Sequence, residues 1–439
     1  MIPILQMDAP GEAQRVEALL AALRLNPAEL ALARGGRSEA EASVRHIMAE
    51  VADRGDAALV ESARRFDDPA FTADQLRVSA SEMRGAAQRT PASLMDALRR
   101  SIAQVRQYQL HVMPREPELL VRPGVELGMR LVPLQSAGLY FPGGKAAYPS
   151  SLVMLAVPAQ VAGVKRIVVC TPPSKYGRMD LVLAACHELG LEEVYRVGGA
   201  AAVAAMAFGT QAIRPVDKIV GPGNTYVQLA KRLVAGCVGI DAFLGPSEIV
   251  VIADDTGRAE YIAADLIAQA EHDPGSCFLI TTSAKLAESV AHEIGQQLPQ
   301  RQRRRAIEKA LRECSAIIVV SSMRQAVELA NRFAAEHMNI QTRDPDAVLA
   351  GLSNAGAVFI GPYSPVAAGD YVAGPSHCLP TNTTARFSSG ISVYEFLKRS
   401  SVVRYDAQGL AADAAAIEAL AEAEHLDGHA ASVRVRMGD

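Results

Sequence analysis

The stretch Lys165-Arg-Ile-Val-Val-Cys170 and the sequence that follows it decide the fold. The stretch ends in a short apolar run typical of a buried strand, and a helical pattern follows at 180–189. Strand and helix patterns then alternate: strands are predicted at 193–197 and 218–220, and helices at 200–208 and 226–234. This βαβ repetition predicts a parallel sheet with right-handed crossovers.

The alternation restarts after Gly245-Pro246-Ser247, which indicates a second α/β unit. Its predicted strands lie at 248–252, 278–282, 316–320, 338–341 and 357–360. In the first unit, glycine-containing turns at 198–199 and 221–224 follow strand ends. Because ligands of open parallel sheets bind beyond the carboxyl ends of the strands, we expect a binding site there. The predicted fold class is α/β, with two Rossmann-like parallel-sheet domains.

The flanking sequence predicts the domain boundaries. Residues 1–26 form a weakly helical arm that is too short to fold alone, and 386–439 form a C-terminal helical arm without its own core. We assign 27–139 and 247–385 to a first α/β domain and 140–246 to a second. One helix is expected over 38–66 and one strand over 129–140. Both arms are expected to pack across a dimer.

Composition narrows the class of protein. The chain has 439 residues, of which 49% are hydrophobic, enough for two or three cores. A net charge of -4 gives no indication of a nucleic-acid partner. Six cysteines without a C-x-x-C pair fit reduced thiols in the cytoplasm. The sequence predicts neither a signal peptide nor a membrane helix.

The end of a helix predicted to stop at 275 carries Gln269 and His272. Gln269 continues an apolar stripe and lies three residues before His272, so the two side chains are neighbours. A buried amide is costly without a partner. An imidazole beside an amide oxygen at a helix end is half of a metal site. The alternative is an ordinary polar helix terminus closed by Pro274, because such a pair is a weak motif.

Glu336 and His337 end one helix and enter a strand. Adjacent in a turn, they could supply a general base and a proton shuttle. The alternative is an ordinary helix C-terminus at which the dipole favours histidine.

A glycine-flanked loop at 369–377 carries Asp370 and His377. Asp370 could be a hard, anionic zinc ligand, or simply part of a turn. His429 is distant in sequence, so only a fold-back or a second subunit could bring it to the others. A site built from Gln269, His272, Asp370 and one more histidine would have the nitrogen and oxygen donors that suit zinc, although no spacing rule joins these positions.

Taken together, these blocks resemble histidinol dehydrogenases over about residues 40–435. The resemblance rests on six segments that occur in the family's order: Tyr140-Phe-Pro-Gly-Gly-Lys-Ala-Ala-Tyr-Pro-Ser-Ser151, Val220-Gly-Pro-Gly-Asn224, Gly245-Pro-Ser-Glu248, Gln269-Ala-Glu-His272, Glu336-His337 and Gly369-Asp-Tyr371.

The resemblance implies a homodimeric enzyme with one zinc ion per subunit and NAD as cofactor. It would oxidise L-histidinol to L-histidine through the aldehyde, the last step of histidine biosynthesis, with NAD bound by the second domain. Glu336 and His337 would be the acid/base pair: His337 would take the alcohol proton and Glu336 would activate water.

The other residues implied by the resemblance fall into three groups. The zinc ligands would be Gln269, His272, Asp370 and His429, the last donated by the partner subunit. Besides these ligands and His337, the substrate would contact Ser247, His377 and Glu424. The cofactor would contact Tyr140 and Asn224.

Three departures from the family's pattern leave the substrate open. Ala201 stands where a glutamine usually contacts NAD, Ser376 replaces an asparagine, and Met338-Asn339 replaces Leu-Glu. One alternative is a paralogue that oxidises another polar alcohol, for example a sulfopropanediol. A second is a non-catalytic ligand-binding protein on the same scaffold, which the intact acid/base pair and ligands disfavour.

Overall fold

Three β-sheets carry the fold in the computed structural model, which describes residues 2–26, 28, 37–143, 148–173, 179–242, 245, 247–272 and 275–438, with backbone alone at 37 and 38. The strands are β1 (Ile4–Gln6), β2 (Leu120–Arg122), β3 (Val125–Pro133), β4 (Ser136–Tyr140), β5 (Arg166–Thr171), β6 (Glu193–Arg196), β7 (Lys218–Val220), β8 (Gly239–Ile240), β9 (Ser247–Ala253), β10 (Gly275–Thr281), β11 (Ala316–Val319), β12 (His337–Gln341), β13 (Ala357–Ile360) and β14 (Leu397–Tyr405).

Helices surround the sheets. They are α1 (Glu12–Leu23), α2 (Arg37–Arg54), α3 (Asp56–Phe66), α4 (Ala80–Arg89), α5 (Ala92–His111), α6 (Pro149–Ala162), α7 (Met179–Glu188), α8 (Gly199–Phe208), α9 (Thr225–Val234), α10 (Ala259–Ala270), α11 (Ala284–Gln297), α12 (Arg304–Glu313), α13 (Met323–Phe333), α14 (Pro345–Gly351), α15 (Val366–Tyr371), α16 (Ala407–Ala423) and α17 (Asp427–Met437). Short 3-10 turns lie at Ala73–Gln75, Leu298–Gln300, Thr384–Arg386 and Val393–Phe396.

A six-stranded parallel sheet has the order β1-β11-β10-β9-β12-β13. Its central strand β9 is buried on both faces, as its continuous apolar sequence requires. Ile249 and Val251 pack into the core on one face, and Val250 and Ile252 into the core on the other. The N-terminal segment belongs to this sheet within the same chain, because β1 pairs with β11 and Val16 of α1 packs in its core.

A five-stranded parallel sheet has the order β6-β5-β4-β7-β8. Apolar side chains of α2 to α5 pack into the cores on its two faces, together with α6 and α8. The helices at 37–111 thus pack in the cores of the five-stranded sheet, whereas the sequence analysis groups 27–139 with the six-stranded half. The exact division into domains remains a prediction.

Two predicted elements are divided in the structure. The single helix expected over 38–66 is broken between α2 and α3 at Gly55, which has φ of 57° and lies against Gln211. The strand expected over 129–140 is two strands that serve different sheets. β3 pairs antiparallel with β14, whereas β4 is the centre of the five-stranded sheet.

The C-terminal region begins with a strand that sequence analysis missed. β14 completes a three-stranded antiparallel sheet in the order β14-β3-β2, and α16 and α17 then pack against each other as a hairpin. The expected α/β fold with parallel sheets is confirmed, whereas packing of the arms across a dimer remains a prediction. None of the helices in the described ranges is long and apolar enough to cross a membrane.

Candidate active site

The candidate acid/base and ligand residues other than Glu424 and His429 lie where the two parallel sheets approach each other. The five-stranded sheet presents the carboxyl end of β4, at Tyr140, but the six-stranded sheet presents the amino ends of β9 and β12, at Ser247 and His337. The expectation that a ligand binds beyond the carboxyl ends of the strands therefore applies to the five-stranded sheet only. Contacts join the halves, because the Ser151 hydroxyl on α6 lies 3.0 Å from His377 Nε2.

Ser247 is the centre of a buried chain of hydrogen bonds. Its hydroxyl accepts from Gln269 Nε2 at 2.5 Å and lies 2.5 Å from Glu336 Oε2, to which it donates. The backbone N–H of Glu248 donates to the same carboxylate oxygen at 3.1 Å. Burial raises the pKa of Glu336 well above its ordinary value, the two hydrogen bonds oppose the rise, and the nearby carboxylates of Glu248 and Asp370 add to it.

His337 is held neutral beside this carboxylate. Only 3% of its surface is exposed, and its Nδ1 lies 3.6 Å from Glu336 Oε2. Burial, together with the neighbouring His272 and His377, lowers the pKa of His337 to about 3. An imidazole that is neutral at physiological pH has a lone pair with which to accept a proton.

Asp370 and His377 are linked by the loop that carries them. Asp370 lies near the end of α15, and its backbone carbonyl oxygen is 2.7 Å from His377 Nδ1. Desolvation lowers the pKa of His377 to about 4, opposed by the bond to the Asp370 backbone, and raises the pKa of Asp370 to about 6. His272 follows the C-terminal end of α10 and is exposed.

The candidate ligands are of types that suit a zinc ion. Gln269, His272 and Asp370 can supply nitrogen and oxygen donors, which zinc takes in proteins. No group of three or more His, Cys, Asp or Glu side chains in the described ranges is arranged to hold a metal ion.

Glu424 and His429 are not brought to this site within the chain. Glu424 follows α16 and His429 lies in α17, and both are exposed on the C-terminal hairpin. Sequence analysis required a second subunit or a fold-back to bring His429 to the other candidates, and the chain shows no such fold-back.

The candidate cofactor residues lie at the carboxyl edge of the five-stranded sheet. Tyr140 is buried, its hydroxyl accepts a hydrogen bond from Gly199 N at 3.2 Å, and burial raises its pKa to about 12. Asn224 caps α9 by accepting hydrogen bonds from the backbone N–H groups of Tyr226 and Val227. The N-termini of α8 and α9 thus lie beside these residues, and helix N-termini favour phosphate groups.

Ala201 lies in the first turn of α8 and is 1% exposed, packed in the core. Its methyl group offers no hydrogen bond, so the contact made by a glutamine in the family's pattern has no counterpart at this position.

Sequence reasoning missed two buried carboxylates near the site. Glu248 follows Ser247 directly, and burial raises its pKa to about 8, opposed by backbone hydrogen bonds from Thr383 and Asn382. Asp265 lies on α10 one turn before Gln269, and burial raises its pKa to about 7. The helical spacing of four residues from Gln269 was the signal that could have identified Asp265.

Comparisons with known proteins identify the family to which the chain is similar. A family model described as histidinol dehydrogenase matches residues 33–437. Histidinol dehydrogenase of a Synechococcus species is 49% identical over 398 residues, which are 90% of this chain and 92% of the relative. That of Gluconobacter oxydans is 49% identical over 413 residues, or 93% of this chain and 96% of the relative.

A solved structure shows the same fold. The crystal structure of histidinol dehydrogenase from Elizabethkingia anophelis superposes with a TM-score of 0.91 at 31% sequence identity, covering 100% of this chain and 98% of that one. With the family model and the relatives, this establishes that the chain belongs to the histidinol dehydrogenase family and is a dehydrogenase of that type.

Proposed function

We propose that the enzyme oxidises L-histidinol to L-histidine through the aldehyde, as the last step of histidine biosynthesis, with zinc and NAD as cofactors. The arrangement of Glu336, His337 and Ser247 supports this best, because it places a neutral imidazole beside a buried carboxylate held by two donors. Such a pair supplies the two proton transfers that a four-electron oxidation needs.

The proposed cofactors would orient the substrate and accept the hydrides, and the protein would handle the protons. When bound by Gln269, His272 and Asp370, zinc would fix the substrate's nitrogen groups and so the orientation of the reacting carbon. NAD would accept one hydride in each oxidation and would bind beside Tyr140 and the turn at 221–224.

In the first oxidation, His337 accepts the proton of the alcohol hydroxyl while the hydride leaves the carbon that bears this hydroxyl. In the second, Glu336 accepts a proton from water, whose oxygen adds to the aldehyde carbon before the second hydride leaves. Overall, one alcohol, one water and two NAD⁺ yield one carboxylate, two NADH and three protons. Ser247 and the Glu248 backbone hold the Glu336 carboxylate in place by hydrogen bonds.

The homodimer with shared active sites is part of this proposal. It is supported by the exposure of Glu424 and His429 on a hairpin outside the site. In the dimer, the partner's C-terminal hairpin would supply the fourth zinc ligand and a carboxylate for the substrate. The free cysteines of the described ranges favour a cytoplasmic enzyme.

The experiment that tests the function compares substrates. Enzyme loaded with zinc is given NAD⁺ with either L-histidinol or 2,3-dihydroxypropanesulfonate, and NADH is followed by absorbance. We expect two NADH per histidinol consumed and no turnover of the sulfonate. Turnover of the sulfonate alone would refute the proposal, and protein that neither holds nor takes up zinc would favour a binding protein.

A further inference from the structure

A buried ion pair lies beside the turn at 221–224. Lys231 of α9 is 1% exposed, and Asp241, which follows β8, is 6% exposed; the Lys231 ammonium and the Asp241 carboxylate are in direct contact. Neither residue is among the proposed ligands, acid/base groups or cofactor contacts. A fully buried pair needs an explanation, because desolvating two charges often costs as much as their attraction returns.

Both members of the pair bind the backbone of Gly221. Asp241 Oδ2 accepts from Gly221 N at 2.6 Å, and Lys231 Nζ donates to Gly221 O at 3.1 Å. Lys231 Nζ also lies 3.5 Å from Ala242 O. The carboxylate thus binds the N–H of Gly221 and the ammonium binds its carbonyl. Hydrogen bonds to charged groups are stronger than those between neutral groups.

Gly221 is held in a conformation that only glycine adopts readily. Its φ is 126°, and a Cβ at this position would lie 1.8 Å from the carbonyl oxygen of Tyr140. The ion pair therefore fixes the first residue of the turn against the end of β4. Asn224, three residues on, caps α9 and so fixes the other end of the turn.

We propose that Lys231 and Asp241 are positioning residues that hold the turn at 221–224 in the conformation that receives the dinucleotide. This inference rests on the proposed function, since it assumes that NAD binds at this turn. An apolar pair of similar size would fill the same space, but it could not bond both the N–H and the carbonyl of Gly221. Loss of the pair is therefore expected to weaken cofactor binding, and the loss of folding stability alone does not account for this weakening.

The control for a merely structural effect is another ion pair of the same sheet. Arg166 Nε lies 2.8 Å from Glu193 Oε1, and these residues begin β5 and β6 at the amino edge, opposite the turn. Arg166→Met breaks a partly buried pair and two further bonds to backbone carbonyls without touching 221–224.

The experiment measures NADH binding to zinc-loaded wild type, Lys231→Met and Arg166→Met by nicotinamide fluorescence. The protein has no tryptophan, so no tryptophan emission contributes to the signal. Urea unfolding of each variant is measured in parallel. For Lys231→Met we expect the Kd for NADH and the KM for NAD⁺ to rise about tenfold or more. For Arg166→Met we expect an earlier urea midpoint with a Kd within about twofold of wild type.

Four results would overturn the inference. The first is that Lys231→Met retains wild-type NADH affinity, and the second is that Arg166→Met weakens that affinity as much as Lys231→Met does. If Lys231→Met does not fold, Asp241→Asn is measured in its place. Its Kd for NADH is expected to rise about threefold or more, and a wild-type Kd would refute the inference. Wild type that binds neither NADH nor NAD⁺ would refute the proposed cofactor and this inference with it, whereas the other outcomes leave the proposed function intact.

Discussion

Replacing Ser247 by alanine removes the centre of the hydrogen-bonded chain that links Gln269 to Glu336. The amide of Gln269 loses its acceptor, and the Glu336 carboxylate keeps only the donor from the Glu248 backbone. The side chains of Gln269 and Glu336 are both buried, so water does not replace the lost bonds at no cost.

The size of the effect follows from the kind of bond that is lost. A hydrogen bond to a charged group contributes about 1.5–3 kcal/mol. With about 1.4 kcal/mol for each factor of ten, the kcat/KM for histidinol is expected to fall about 10- to 150-fold. Because the Ser247 bond lowers the pKa of Glu336, its removal raises that pKa, and the rise of activity with pH is expected to shift to higher pH.

The assay is kcat/KM between pH 5 and 9, with histidinol and with the aldehyde as separate substrates. Since Glu336 acts on water in the second oxidation, we expect the aldehyde reaction to lose more than the alcohol reaction. Ser315→Ala is the matched control: that buried hydroxyl also makes two hydrogen bonds, with Cys277 N and Ala310 O. An unshifted pH profile in Ser247→Ala, or an equal loss of activity in Ser315→Ala, would refute the reasoning.

Three further predictions follow from residues already described. Burial raises the pKa of Asp265 from 3.8 to about 7, so the native state retains this proton between those values and wild type loses stability as pH rises through them. Asp265→Asn is therefore expected to be more stable than wild type at pH 8, by up to about 4 kcal/mol, with the difference vanishing below pH 4 in urea titrations. His429→Ala and His337→Ala homodimers are each expected to be inactive, while their verified heterodimer recovers activity because one of its two sites is intact; no recovery would count against a shared site. Gly221→Ala is expected to lower both thermal stability and NADH affinity because its Cβ meets a backbone oxygen, whereas Gly236→Ala, with φ of 95° and nothing within 4 Å, should lower stability only slightly.

The sequence predicted the parallel sheets because their strands are buried on both faces. Continuous runs such as Ile249-Val-Val-Ile252 are readable without partners, since every side chain is apolar. β14 was missed for the opposite reason: Lys398-Arg-Ser-Ser401 is exposed, and only its pairing with β3 makes it a strand. The break at Gly55 depends on a contact with Gln211, which is remote in sequence.

The candidate site was predictable where its residues are close in sequence. Gln269 and His272 share a helix end, and Glu336 and His337 are adjacent, so local spacing brought each pair together but left its role open. The bond between Ser151 and His377 joins residues that are 226 positions apart, and no local pattern predicts it. The sequence also did not predict that the six-stranded sheet presents the amino ends of its strands to the site, because this depends on how the two sheets face each other.

The pairing of β1 with β11 has a consequence for the order of folding during synthesis. Ile4 lies beside Ile317, so β1 has no partner until more than 300 further residues have been made. The strands of the five-stranded sheet all lie between 136 and 240, and that half can assemble co-translationally. The six-stranded sheet closes after the five-stranded one, and until then β1 is an unpaired edge available to chaperones or to neighbouring nascent chains.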